Sequence, residues 1–262
     1  MTSPGTNALV QLLEALEAGA VEVVDLSHPL SERTPMIKLP PGVPEAPGFT
    51  LHEITSYEYS GAATYWNWFE GSEHMGTHFD APVHWITGRD GNDTSQVAGS
   101  ELIGPAVVID RTAEVEVDPD YLLTLAEVQA FADEHGLPEG GWLLYRTGWE
   151  RHQPDRDAFV RMDERGAHWP GVEPGCARWI AQETALRGFG VEQVGTDAGL
   201  AYEFDPPYPM HYYLLGAGKY GLASLANLGR LPTTGAVVIA APLRIVRGSG
   251  SPARVYALVP RD

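Results

Sequence analysis

The chain has 262 residues, 44% of them hydrophobic, with 17 basic and 35 acidic side chains and a formal net charge of -18. That is enough chain to bury one large core, and the negative field disfavours nucleic-acid phosphates and anionic lipid as partners. The lone cysteine, Cys176, rules out an intramolecular disulfide and reads as a small packing residue. No stretch approaches the roughly 20 apolar residues that cross a bilayer. The first nineteen residues lack the basic and apolar regions of a signal peptide, so a cytoplasmic location is expected.

In chain order, Thr6 to Gly19 carries Leu9, Leu12, Leu13 and Leu16 at helical spacing and predicts an amphipathic helix, for packing on its own domain or at a subunit interface. Strands are predicted at Val21–Ser27, Thr50–Tyr59 and Thr64–Phe69, with a proline-rich loop or lid from Pro29 to Gly48. Ala106–Asp110 predicts the next strand. Thr124–His135 predicts a helix, with Thr124 and Glu127 as a capping box and Gly136 as its stop. A buried strand at Trp142–Arg146 precedes a helix at Pro174–Arg187, ended by Gly188. Val191–Thr196 predicts a short strand, Tyr212–Leu215 a strand or helix end, and Ala236–Pro242 and Arg254–Val259 the closing strands. The pattern is one strand-rich α/β domain over residues 1–262.

The chemistry concentrates between residues 74 and 84, where three of the nine histidines stand with one aspartate. His74 and His78 are four apart, but Gly76 and β-branched Thr77 argue against a helix. A turn at Gly76 would bring the two imidazoles together, and Asp80 shares the strand face of His78. Two imidazoles and a carboxylate suit one divalent ion, Mn2+ or Zn2+, with an open position for catalysis. Pro82 bends the chain so that His84 points at the same centre, as a further ligand or as general base.

The stretch from Glu73 to Trp85 closely resembles the signature of the cyclase-like metal-dependent hydrolases, which include bacterial kynurenine formamidase and isatin hydrolase. Val24-Asp25-Leu26-Ser27-His28-Pro29, Gly195-Thr196-Asp197, Ala241-Pro242-Leu243 and Ser251-Pro252-Ala253-Arg254 extend the likeness over most of the chain. The resemblance implies a β-rich swivelling β/β/α fold, a metal on His74, His78 and Asp80, a catalytic histidine at His84, and a homo-oligomer, dimer or tetramer. In the binuclear members a second metal uses a later histidine, matching His211, and a glutamate twelve residues on. That position here is Ala223, which cannot ligate, so a mononuclear centre is expected.

Trp66, Trp68, Phe79 and Trp85 flank the cluster and are candidates to line a pocket for a flat aromatic substrate, with core packing as the alternative for about half of them. His211 and Ser224 are candidate substrate contacts. Glu73 reads equally as a surface residue or a support for the first ligand. The leading expectation is hydrolysis of a C–N bond in a small aromatic cyclic amide, isatin opening to isatinate. In that reaction metal-activated water attacks, and His84 takes a proton and returns it to the leaving nitrogen. N-formylkynurenine is the next substrate class. A metal-dependent cyclase or lactone hydrolase of secondary metabolism is the second reading and a non-catalytic metal-stabilised binding protein the third. No Gly-x-Ser-x-Gly elbow supports a serine hydrolase.

Overall fold

The computed structural model describes residues 4–37, 44–58 and 63–261. Twelve strands run in chain order: β1 (Val21–Asp25), β2 (Thr50–Thr55), β3 (Trp66–Glu70), β4 (His78–Asp80), β5 (Ile103–Asp110), β6 (Leu122–Leu123), β7 (Trp142–Arg146), β8 (Gly171–Val172), β9 (Gly188–Val191), β10 (Tyr220–Ala223), β11 (Ala236–Pro242) and β12 (Gly250–Pro260). The helices are α1 (Pro4–Glu17), α2 (Thr112–Val117), α3 (Leu125–His135), α4 (Arg156–Val160) and α5 (Pro174–Gln182).

Eight strands form one sheet in the order β1-β12-β11-β5-β7-β9-β10-β4, and β12 also pairs with β4, which closes the sheet into a barrel. Strands β5, β7, β9 and β10 run parallel; β4, β11, β12 and β1 join antiparallel. Strand β7 shows why two cores result. Its alternate residues Trp142 and Leu144 enter the barrel core with Val24, Phe79, Leu222, Val238 and Val255. Leu143 and Tyr145 face outward into a second core with Cys176, Ile180 and Phe189, under α3 and α5. Burial on both faces makes the run uniformly apolar and its identity as a strand easy to read.

Helix α3 starts as expected: Glu127 N donates to Thr124 Oγ1 at 3.3 Å and Thr124 N donates to Glu127 Oε2 at 2.9 Å. The next helix and strand differ from expectation. Helix α5 ends at Gln182 and β9 begins at Gly188, upstream of the expected Val191. Gly188 is not a helix stop but a strand residue beneath the Trp142 ring, and a Cβ there would overlap that ring. Residues 212–215 fall in a π-helical segment, His211–Leu215. Strand β12 starts at Gly250, four residues before the expected Arg254, because its first residues pair with β4.

Strands β2 and β3 form a separate two-stranded ribbon. The expected strand at 50–59 ends at Thr55, and Tyr59 lies outside the described residues, as does part of the proline-rich segment, 38–43. Leu9, Val10 and Leu13 of α1 are exposed. None of the described helices is long and apolar enough to cross a membrane.

Candidate active site

The histidine cluster lies at the carboxyl ends of the parallel strands, where α/β sheets place their ligands. Ala223, the last residue of β10, pairs with His78, the first of β4. The turn before β4 passes through Gly76 at φ +58°, where a Cβ would come within 2.6 Å of the Leu30 side chain. This turn folds His74 back onto β4, so that the two imidazoles meet edge to face at 5.2 Å between centroids. In β4, His78 and Asp80 project to one side, with His78 Nε2 3.4 Å from Asp80 Oδ1.

His74 Nδ1 is 2.8 Å from the same carboxylate oxygen. One nitrogen from each histidine and one oxygen from Asp80 lie within 4.8 Å of one another. The donor set fits a divalent cation in its chemistry and its tautomers. His78 Nδ1 faces the Gly76 carbonyl oxygen at 2.8 Å and must carry the proton, which leaves Nε2 as a lone pair toward Asp80. His74 Nε2 meets Ser249 Oγ at 2.9 Å, and Ser249 donates from N and Oγ to Glu73 Oε2 at 3.0 and 2.7 Å. Glu73 thus supports the first ligand through Ser249. Burial alone would raise the Asp80 pKa, but the His78 and His74 imidazoles hold it well below the usual carboxylate range. A fully buried carboxylate that stays ionised is a ready anionic ligand.

Pro82–His84 forms one turn of 3-10 helix and stacks His84 on His74 at 3.9 Å between centroids. Burial pushes the His84 imidazole down to about 3, against the opposing charge of Asp80, so it is neutral at ordinary pH. Beyond it, Trp85 and His211 pack at 5.1 Å, and His84 and His211 at 5.4 Å. Thr87 Oγ1 donates to the Tyr212 carbonyl at 2.6 Å, tying the 82–88 turns to the segment that carries His211. Tyr208, not anticipated from the sequence, sits against Trp85 at 5.5 Å.

The other expected pocket residues divide. Trp85 and His211 are at the site. Ser224 adjoins it: its carbonyl accepts from Thr77 Oγ1 at 2.5 Å, and its own hydroxyl donates to Gln193 O at 3.4 Å. Phe79 is a correction. It is fully buried in the barrel core against Tyr220, because alternation along β4 turns it away from the face that His78 and Asp80 share. Trp66 and Trp68 lie exposed on the β2–β3 ribbon, with Trp68 stacked on His52 at 4.0 Å rather than on the histidines. His211 is not in the ligand group; its Nδ1 faces Asp197 Oδ2 at 2.5 Å. Ala223 is buried and brings no donor to a second metal.

Comparison with known proteins follows the same lines. The family model described as "Putative cyclase" matches residues 24–198. The chain is 44% identical over 259 residues to isatin hydrolase of Roseibium aggregatum, covering 97% of this chain and 98% of that protein. It is 31% identical over 190 residues to kynurenine formamidase of Salinibacter ruber, covering 70% and 74%. A crystal structure of an isatin hydrolase bound to the product analogue thioisatinate superposes with a TM-score of 0.95 at 43% identity, covering all of both chains. By sequence and by fold, the chain belongs to the Cyclase family.

Proposed function

We propose that this chain is a metal-dependent hydrolase that cleaves the C–N bond of an isatin-like lactam, giving the ring-opened keto acid. The observation that carries the reading is the His74–His78–Asp80 ligand group with the neutral His84 stacked against it, in a chain so close over its whole length to an isatin hydrolase. The cation is Mn2+ or Zn2+, one per chain, since two imidazoles and a carboxylate suit either. When bound, it supplies Lewis acidity to the amide carbonyl and to water.

The chain's own residues do the rest. His78 and Asp80 fix the centre from a rigid strand, and His74 is held by Ser249 and Glu73. His84, neutral because it is buried, accepts a proton from the attacking water. Trp85 and Tyr208 supply an aromatic wall beside His211 for a flat substrate. The enzyme works in the cytoplasm as a homo-oligomer, dimer or tetramer. The exposed apolar residues of α1 and of the β2–β3 ribbon, Trp66 and Trp68 included, support contact with a second copy.

The test is turnover by protein loaded in turn with Mn2+ and Zn2+, offered isatin and N-formylkynurenine separately. Isatin opening to isatinate at a rate at least tenfold above that for N-formylkynurenine supports the reading. Metal-bound protein that leaves isatin intact overturns the substrate, and preferential release of formate moves it to the formamidase reaction.

A further inference from the structure

The leaving nitrogen of an aryl lactam departs as a strong base unless it gains a proton as the bond breaks. His84 takes up the proton of the attacking water, and a second imidazole, His211, stands beside it where it can protonate the leaving nitrogen directly. We propose that His211 is that donor, a catalytic acid, and that Asp197 is the residue that positions it. The proposal rests on the lactam reading above and extends it to a residue pair.

Asp197 follows β9 and is nearly fully buried. Its Oδ1 accepts from Met210 N at 2.7 Å, and its Oδ2 from His211 N at 3.1 Å and from the His211 ring at 2.5 Å. An ionised carboxylate only accepts, so His211 Nδ1 must carry hydrogen. The imidazole is fixed in orientation and tautomer, and Nε2 is the nitrogen left to exchange a proton with a substrate. The Asp197 backbone is itself held: the Trp169 indole donates to its carbonyl oxygen at 2.7 Å. The ring lies against His84 and Trp85. Burial alone would lower the His211 pKa, but Asp197 raises it above the ordinary histidine value, which keeps a proton available.

In the step, the water oxygen bonds to the carbonyl carbon and its proton passes to His84. The C–N bond breaks, and its electron pair takes the proton from His211 Nε2. His84 then releases its proton to solvent, His211 regains one, and the newly formed carboxylic acid ionises. The sum is lactam plus water giving amino keto-carboxylate plus one proton, with no other reactant.

The experiment compares isatin with 5-nitroisatin, whose nitrogen leaves more readily, in metal-loaded wild type, Asp197→Asn and His211→Gln. Asparagine keeps an acceptor for Met210 N, the His211 variant leaves Asp197 intact, and a thermal unfolding midpoint near that of wild type identifies the variants that keep the fold. Loss of the acid slows isatin about 100-fold and 5-nitroisatin about tenfold or less. Equal losses on both substrates would mean a merely structural pair and overturn the proposal. A readout independent of turnover is the 15N NMR signature of His211 in Zn2+-loaded protein. Hydrogen on Nδ1, lost in Asp197→Asn, supports the pair even if isatin proves the wrong substrate; an unprotonated Nδ1 in wild type overturns it.

Discussion

Two groups of tryptophans stand in contrasting surroundings. Trp142 and Trp149 are buried almost completely, while Trp66 and Trp68 on the β2–β3 ribbon are 61% and 48% exposed. In the first region side-chain identity is dictated by packing, down to the glycine in β9 that leaves room for the Trp142 ring. In the second, both rings stay about half exposed or more, with Trp68 stacked on His52. Aromatic density near a catalytic motif therefore does not by itself mark a pocket wall. Beside the histidines the aromatic contact is instead Trp85 with Tyr208, next to a turn tied by Thr87 to the Tyr212 carbonyl, while the ribbon tryptophans face outward.

Substitutions separate the histidine site, the barrel core and the ribbon by size of effect. His78→Ala removes a ligand from a pre-built group and should cost at least 1000-fold in activity, with metal per chain falling toward zero by elemental analysis. His84→Ala should lose about 100-fold or more in kcat while the metal stays bound; loss of metal as well would make His84 a ligand. Phe79→Ala leaves a cavity in the barrel and should destabilise the fold by about 3–5 kcal/mol in urea unfolding. By contrast, Trp66→Ala with Trp68→Ala should alter the stability of the isolated chain by less than about 1 kcal/mol yet shift the oligomeric state in light scattering. An unchanged oligomer would detach the ribbon from subunit contact. The smallest effect is on titration. In metal-free protein His84 should stay neutral from pH 5 to 8, since its pKa lies near 3, while His211 should take up its proton above the usual histidine range as pH falls. NMR of the ring protons reads both.

The ligand group was legible because it is local: a turn at Gly76 and one strand pair of alternate residues place His74, His78 and Asp80 together without help from distant chain. The same alternation speaks against Phe79 as a pocket residue, since it lies between His78 and Asp80. Ser249 and Asp197, which orient His74 and His211, were not singled out. Each works through a contact set by tertiary structure, with His74 and Ser249 separated by 175 positions, and no local pattern reports such a pairing. Asp197 carried a signal only in the Gly195-Thr196-Asp197 motif, without a role. Gly188 reads as a stop because a glycine follows a helical run, and only the Trp142 ring above it shows the need for a missing side chain. Strands β7 and β11 are legible because each is a short continuous apolar run, Trp142 to Tyr145 and Ala236 to Pro242.

Strand β12 joins β1 and β11 along most of its length and β4 at its start, and Ser249 just precedes it. On the ribosome, His74, His78 and Asp80 emerge well before the strand that pairs with β4 and the hydroxyl that orients His74. A nascent chain therefore has its ligands without its site, and with so many distant pairings to make, closure of the barrel is slow. A bound ion would add its binding energy to the closed barrel, in which Ser249 orients His74.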